Sequence, residues 1–266
     1  MKKALKIFWL AIVLAFIYVP ILVLAVYSFT DASMVGASGG FSFNNYINLF
    51  ADEELRNMIF GTVALALICA AISTVLATMG AIGSYYSKRV PKTLLNTANQ
   101  VPVVNADIVT GFSVCILLIV ILRISKDTFI PLGIGHIVLT APFVYLSILP
   151  KLKQMDNSLY EAALDLGATP AQALFKVVIP QLIPGILSGF MLAVTLSLDD
   201  YFVTTYTKPS TFDTISTYVV NATKGSQTET KTALWALSTI IFLIVITAVV
   251  LMNVLSQKGG KANEKA

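Results

Sequence analysis

Six stretches of this chain are each apolar over a length that crosses a lipid bilayer: residues 7–29, 58–85, 101–122, 132–149, 182–203 and 233–255. A helical span needs about 20 mostly apolar residues. In hydrocarbon every backbone N–H and C=O must find its partner within the protein, so runs of this length become helices. The fourth is the weakest, because Pro142 interrupts it and Lys151 closes it. Short connections make up nearly all the rest, which leaves no room for a separate soluble domain. The expectation is an all-α membrane protein with six transmembrane helices in a single domain over residues 1–266. Composition agrees, since 56% of residues are hydrophobic and 12% charged, against roughly 25% charged in soluble domains.

Lys2, Lys3 and Lys6 ahead of an apolar run have the form of a signal peptide, and Val35-Gly36-Ala37 faintly resembles a cleavage site. A signal core is about 7–15 residues long. This run is longer and reads as an uncleaved first span. Lys and Arg favour the cytoplasmic loops. With the N-terminus inside, Lys2, Lys3, Lys6, Lys88, Arg89, Lys92, Lys151, Lys153, Lys176, Lys258, Lys261 and Lys265 are internal, twelve of the 18 basic residues. Arg56, Arg123, Lys126, Lys208, Lys224 and Lys231 are external. This bias places both termini in the cytoplasm, together with the polar segment 158–180. The net charge of +4 thus reflects orientation in the membrane. No basic face interleaved with aromatics points to nucleic acid.

Catalytic and metal chemistry find no footing. Cys69 and Cys115 lie in different runs without metal-ligand spacing and read as small buried filler. The single histidine, His136, has no acid near it in sequence and reads as a core or interface residue. There is no G-x-x-x-x-G-K-[ST] loop to cradle phosphates. The expectation is a protein that is not an enzyme, with no cofactor, no metal, and any ATP-driven work done by another chain.

The segment 158–180 carries the sharpest local signals. Ser158 and Glu161 have the spacing of a capping box that opens a short helix. Gly167 suits the left-handed position that ends it. Thr169 then reads as an N-cap, with Pro170 at the first helical position and Gln172 closing a second box. A second short helix runs to Pro180. Helix, glycine turn and helix make a compact knob with small residues at Ala162 and Ala163, suited to a cleft in another protein. A simple connector between two spans has the same outline.

Three acids fall inside apolar runs: Asp107 in the third, and Asp199 and Asp200 in the fifth. Each costs about 2.5–3.5 kcal/mol at the centre of a bilayer, so each should face the bundle interior or a watery path. No Lys or Arg shares those runs. A cationic substrate would supply the missing partner. Neighbours on a helix point about 100° apart, so Asp199 and Asp200 have different surroundings: one lines the path and the other bonds a neighbouring helix. Asp107 is expected nearer the cytoplasm and the pair nearer the outside. The plainer reading has the pair in interfacial water and Asp107 at a helix end.

At these residues the chain resembles a known family. Permease subunits of binding-protein-dependent ABC importers carry Glu-Ala-Ala, three residues, Gly, nine residues, then Ile-x-Leu-Pro. Glu161, Ala162, Ala163, Gly167 and Pro180 match in type and spacing, with Val177 and Ile179 as conservative departures. The whole chain looks like the PotC-type permease subunits of spermidine/putrescine importers. Those have an acidic pair after Ser-Leu or Ser-Met in the fifth span, matched by Ser197 to Asp200, and an Asp-Ile near the start of the third, matched by Asp107 and Ile108. Asn105-Ala106 stands where Ser-Pro is the pattern.

The resemblance implies the type I ABC importer permease fold in a bacterial cytoplasmic (inner) membrane. It implies a second permease subunit of a different chain, two ABC ATPase subunits on the cytoplasmic knobs, and an extracytoplasmic solute-binding protein, with lipid around the bundle. Glu161, Ala162, Ala163, Gly167, Val177, Ile179 and Pro180 would couple to the ATPase. Asp107, Asp199, Asp200 and Tyr201 would line the substrate path. The alternatives are a permease for another small solute (a metal cation, an amino-acid derivative or an oxyanion) or a stand-alone secondary transporter or channel. The knob argues against the last.

Two connections are less telling. Residues 41–57 read as an amphipathic surface helix starting at Asn44 or Asn45. Residues 204–232 read as a polar outer loop, with Tyr201, Phe202 and Tyr206 either an interfacial belt or a cation–π site. Pro184, Gly185 and Gly189 allow bending or close helix approach.

Overall fold

The computed structural model of the chain describes residues 2–32, 36–156, 158–224, 232–244, 246–247 and 250. Among them it is helical, with one isolated bridge between Thr30 and Phe41. The helices are α1 (Lys2–Ser28), α2 (Asn44–Ala51), α3 (Glu53–Tyr86), α4 (Arg89–Val104), α5 (Asp107–Cys115), α6 (Phe129–Gln154), α7 (Ser158–Asp165), α8 (Pro170–Ala173), α9 (Ile179–Asp199), α10 (Phe202–Thr207) and α11 (Ile215–Lys224). A shorter apolar helix, α12, covers Thr232–Ile244. Two stretches are wound as π-helix, Ile116–Ile121 after α5 and Leu174–Val178 between α8 and α9.

Among the described residues, four helices are long and apolar enough to span: Leu5–Ser28, Glu53–Tyr86, Phe129–Gln154 and Pro170–Asp199. One broken pair there, Lys92–Val104 and Asp107–Ile121, is apolar enough when taken together and is bent by 108°. The third expected span, 101–122, thus starts with the end of α4, because Asn105 and Ala106 hold extended backbone between the helices. Of the sixth, 233–255, α12 is described, and the rest lies mainly outside the described residues. Val35 and Lys231 also lie outside them, as do Lys258, Lys261 and Lys265.

The described residues divide into two compact units, one of residues 2–59 with those of 218–250, and the other of residues 60–217. In the first, the end of α1 and the start of α2 are fastened together. The Asn45 side-chain amide donates to the carbonyls of Ser28 and Thr30 at 3.1 and 2.9 Å. Phe29 packs against Phe41, Phe43 and Tyr46. The helix expected from residue 44 is present, with Asn45 and Leu49 buried and Tyr46 on this cluster.

In the second unit, α6 and α9 form the main interface. Gly185 and Gly189 of α9 sit one turn apart against α6. A Cβ at Gly189 would lie 2.9 Å from Val144 Cγ1 and 3.2 Å from its Cα. This is the small-residue packing by which membrane helices approach closely, so the two glycines serve close approach. Helix α3 presents Ala70, Ala77 and Ala81 to a core with Tyr145, Ile148, Leu152, Val178 and Leu182. Polar bonds add to this core: Ser73 and Thr140 hydroxyls meet at 2.7 Å, and the Tyr145 hydroxyl donates to Asn96 of α4.

Candidate functional site

The fifth apolar run stops being helical at Asp199. Asp200 has extended backbone, and the chain restarts as the six-residue α10. Residues 202–207 were expected to be the end of a span and the start of an outer loop. They instead form a helix wedged against α5 and α6. Two glycines make the space. A Cβ on Gly111 of α5 would meet Val203 Cα at 2.8 Å, and one on Gly135 of α6 would meet Val203 Cγ1 at 2.7 Å. Val203 itself is fully buried.

Asp200 nucleates this helix. Its carboxylate accepts from the N–H groups of Val203 at 3.2 Å and Thr204 at 2.7 Å, and from the Thr204 hydroxyl at 2.8 Å. Its backbone carbonyl accepts from Ser216 Oγ, which ties the break to the start of α11. Hydrogen bonds to a charged group contribute about 1.5–3 kcal/mol each. Three of them exceed the insertion cost of about 2.5–3.5 kcal/mol for one acid. Asp200 is therefore a structural acid that holds the break in place.

Asp199 differs. It is exposed and lines a cavity of about 310 Å³ with Asp107, Leu139, Phe143, Thr195, Leu196, Asp200, Tyr201 and Phe202. Asp199 and Asp200 have different surroundings, though both line this cavity, and Asp107, at the start of α5, lines it with them. The 108° bend before α5 brings it there. Three carboxyls and no cation are among these lining residues, and Leu139, Phe143, Leu196 and Phe202 make apolar walls. Lys208, a cation near this segment in sequence, is held 2.8 Å from Asp213 Oδ1. Tyr201 is half-buried with its ring edge-on to Phe202, and Tyr206 packs on Phe112.

His136 sits where a core or interface residue was expected, but nothing in the sequence pointed to its partners. It is buried in α6, with Nδ1 2.7 Å from Ser197 Oγ and Nε2 3.0 Å from Thr204 Oγ1. Asp200 Oδ2 is 3.9 Å from Nε2. The paired acid is 64 positions away in the chain, so no local spacing reveals it. The glycines on either side of α10 were the available signal, since Gly111 and Gly135 inside apolar runs mark a close backbone approach.

The segment 158–180 folds as a knob. Gly167 has φ +86°. Its N–H donates to Leu164 O at 2.9 Å and that of Ala168 to Ala163 O at 3.0 Å. These are the two bonds of a Schellman ending. Thr169 caps α8 with both bonds of the box to Gln172. The first expected box is not made. Ser158 is already helical, and its N–H donates to Asp156 Oδ1 at 2.9 Å. This donation holds the exposed Asp156 carboxyl below the usual carboxylate range.

Pro180 does not end the knob, because the helix runs unbroken from Pro170 to Asp199. A proline has no N–H for the preceding turn. That turn is π-wound, with the Ile179 N–H reaching back to Leu174 O. Val177 lies in it, half-buried like Ile179. Tyr160 packs on Tyr86 at 5.2 Å and anchors the knob to α3. Glu161 and Ala162 are exposed, Ala163 is half-buried, and Leu166 is 89% exposed at the tip.

Residues 101–259 match the family described as binding-protein-dependent transport system inner membrane component. The spermidine/putrescine transport system permease protein PotC of Haemophilus influenzae is 28% identical over 247 residues, 93% of this chain and 94% of that one. The putrescine transport system permease protein PotI of Escherichia coli is 28% identical over 200 residues, 72% and 70% of the two chains. A solved bacterial alginate ABC transporter, in complex with an alginate pentasaccharide-bound periplasmic protein, contains a chain with TM-score 0.69 and 16% identity. That match covers 97% of this chain and 94% of the other, and it speaks to the fold alone. The chain belongs to the binding-protein-dependent transport system inner membrane component family.

Proposed function

We propose that this chain is the permease subunit of an ABC importer for polyamines, forming part of a pore in the bacterial inner membrane and driven by separate ATPase subunits. The observation that carries the substrate class is the cavity of about 310 Å³ walled by apolar side chains and faced by Asp107, Asp199 and Asp200. A linear polyamine is a string of ammonium groups joined by methylenes. Carboxylates pair with the first and Leu, Phe and Tyr side chains cover the second. The permeases named for spermidine and putrescine among its relatives support the same substrate. An oxyanion would call for Arg or Lys where these acids stand.

The knob supports the coupling role. Its exposed Glu161, Ala162 and Leu166 lie beside a rigid Schellman turn, so an ATPase cleft would meet a preformed surface. In this reading both termini and the knob are cytoplasmic. A second permease chain completes the pore, and an extracytoplasmic binding protein delivers the substrate. The test is uptake of radiolabelled spermidine and putrescine by vesicles holding the full complex, with binding protein and ATP. Uptake of either, competed by the other and lost in Asp199→Asn, is expected. A complex that hydrolyses ATP normally with its cognate binding protein but takes up neither amine would refute the assignment.

A further inference from the structure

The hydrogen bonds around His136 have a direction that the donor and acceptor inventory fixes. The Thr204 hydroxyl has one proton. Its acceptors are Asp200 Oδ2 at 2.8 Å and the Asp200 carbonyl at 3.2 Å, so in either case that proton goes to Asp200. His136 Nε2, 3.0 Å from the same oxygen, must then be the donor. At the other side of the ring, Nδ1 meets Ser197 Oγ at 2.7 Å. The ring therefore joins three elements: Ser197 on α9 before the break, Thr204 on α10 after it, and α6, which carries the histidine. All three side chains are buried.

We propose that His136 is a positioning residue for the acid-lined cavity. Its Nε2–H holds the Thr204 hydroxyl in the orientation that pins the Asp200 carboxylate. Ser197, two residues before Asp199, is held by the other ring nitrogen. Together these contacts set the angle at which the chain breaks, and so the direction in which Asp199 meets a cation. This rests on the reading of the cavity as the substrate's passage. His136 touches no substrate, since it is absent from the cavity lining. It acts through Asp200 and the α9–α10 break.

The test is uptake kinetics in vesicles containing the full complex, normalised to the amount of complex, with spermidine and putrescine as probes. His136→Leu removes both bonds. Thr204→Val removes the hydroxyl with little change of shape and serves where His136→Leu lowers assembly. Each should raise KM about fivefold or more, the scale of one buried hydrogen bond lost. His136→Gln, which offers an amide N–H near the Nε2 position, should restore most of that affinity. Because His136 acts through Asp200, combining His136→Leu with Asp200→Asn should raise KM no further than the worse single change. A drop in complex amount with KM unchanged in both His136→Leu and Thr204→Val would overturn the proposal, as would full additivity with Asp200→Asn. Asp199→Asn, run alongside, separates the two readings. If it weakens uptake while the His136 and Thr204 variants do not, the cavity reading stands and the positioning role is wrong.

Discussion

Adjacent carboxylates in this chain have opposite tasks, and the bonds around them say which is which. Both line the cavity, but Asp200 is buried and accepts three hydrogen bonds at the start of α10, whereas Asp199 is exposed there. Asp200→Ala leaves two buried backbone donors without their acceptor, at about 1–3 kcal/mol each. The expected outcome is less assembled complex and a lower melting temperature in detergent. Asp199→Asn should leave the melting temperature within error but weaken uptake. A charge pair at 4 Å contributes about 4 kcal/mol at an effective dielectric constant of 20, so a loss of at least about tenfold is expected. Unfolding in Asp199→Asn with normal uptake in Asp200→Ala would reverse the assignment. That the two would have different surroundings was legible from the 100° step of a helix. Which acid takes which part was not, because the deciding donors belong to a helix that periodicity did not show.

Helix α10 and the knob illustrate what a sequence reveals about elements. The knob was legible because its signals are local: Gly167 ends one helix, and Thr169 with Gln172 starts the next. The box expected at Ser158 is not made, since the Asp156 carboxylate takes the Ser158 N–H and Ser158 is already inside the helix. Helix α10 was not legible, since six residues with Val203, Thr204 and Tyr206 carry no helical pattern alone and owe their fold to Asp200, Gly111 and Gly135. Two glycine substitutions test these elements. Gly111→Ala puts a methyl group 2.8 Å from the Val203 backbone, where no flexible side chain can give way. Overpacking of this kind costs about 1–3 kcal/mol. A cysteine replacing Val203 should become more accessible to small thiol reagents in the Gly111→Ala background. Gly167→Leu forces a side chain into φ +86°, at about 1–2 kcal/mol. Because the strain falls on the Schellman turn, membrane insertion should survive while co-purification of the ATPase weakens. Undiminished co-purification and transport would remove the turn from the coupling surface.

At the scale of the whole molecule, the all-helical class and the main apolar helices followed from composition and run length, because the bilayer imposes length directly. The third span did not. Its apolar run continues across Val104 to Asp107, yet extended backbone at Asn105 and Ala106 breaks it there. Hydropathy registers apolar character but not a bend. Orientation is a separate question, carried by the bias of Lys and Arg, and two exposed serines test it. Ser38 lies in the connection between α1 and α2, and Ser158 lies at the start of the knob. Both are exposed, so their reactivity reports sidedness and not burial. The native thiols interfere little, since Cys69 is buried and Cys115 half-buried, and each can be replaced by Ala. In sealed, right-side-out vesicles, Ser38→Cys should react with a membrane-impermeant maleimide before lysis and Ser158→Cys only after it. Twelve basic residues against six favour this arrangement at about the level at which charge sets topology in short loops. The converse labelling would place the knob outside, where no ATPase can reach it, and would overturn both the orientation and the coupling role built on it.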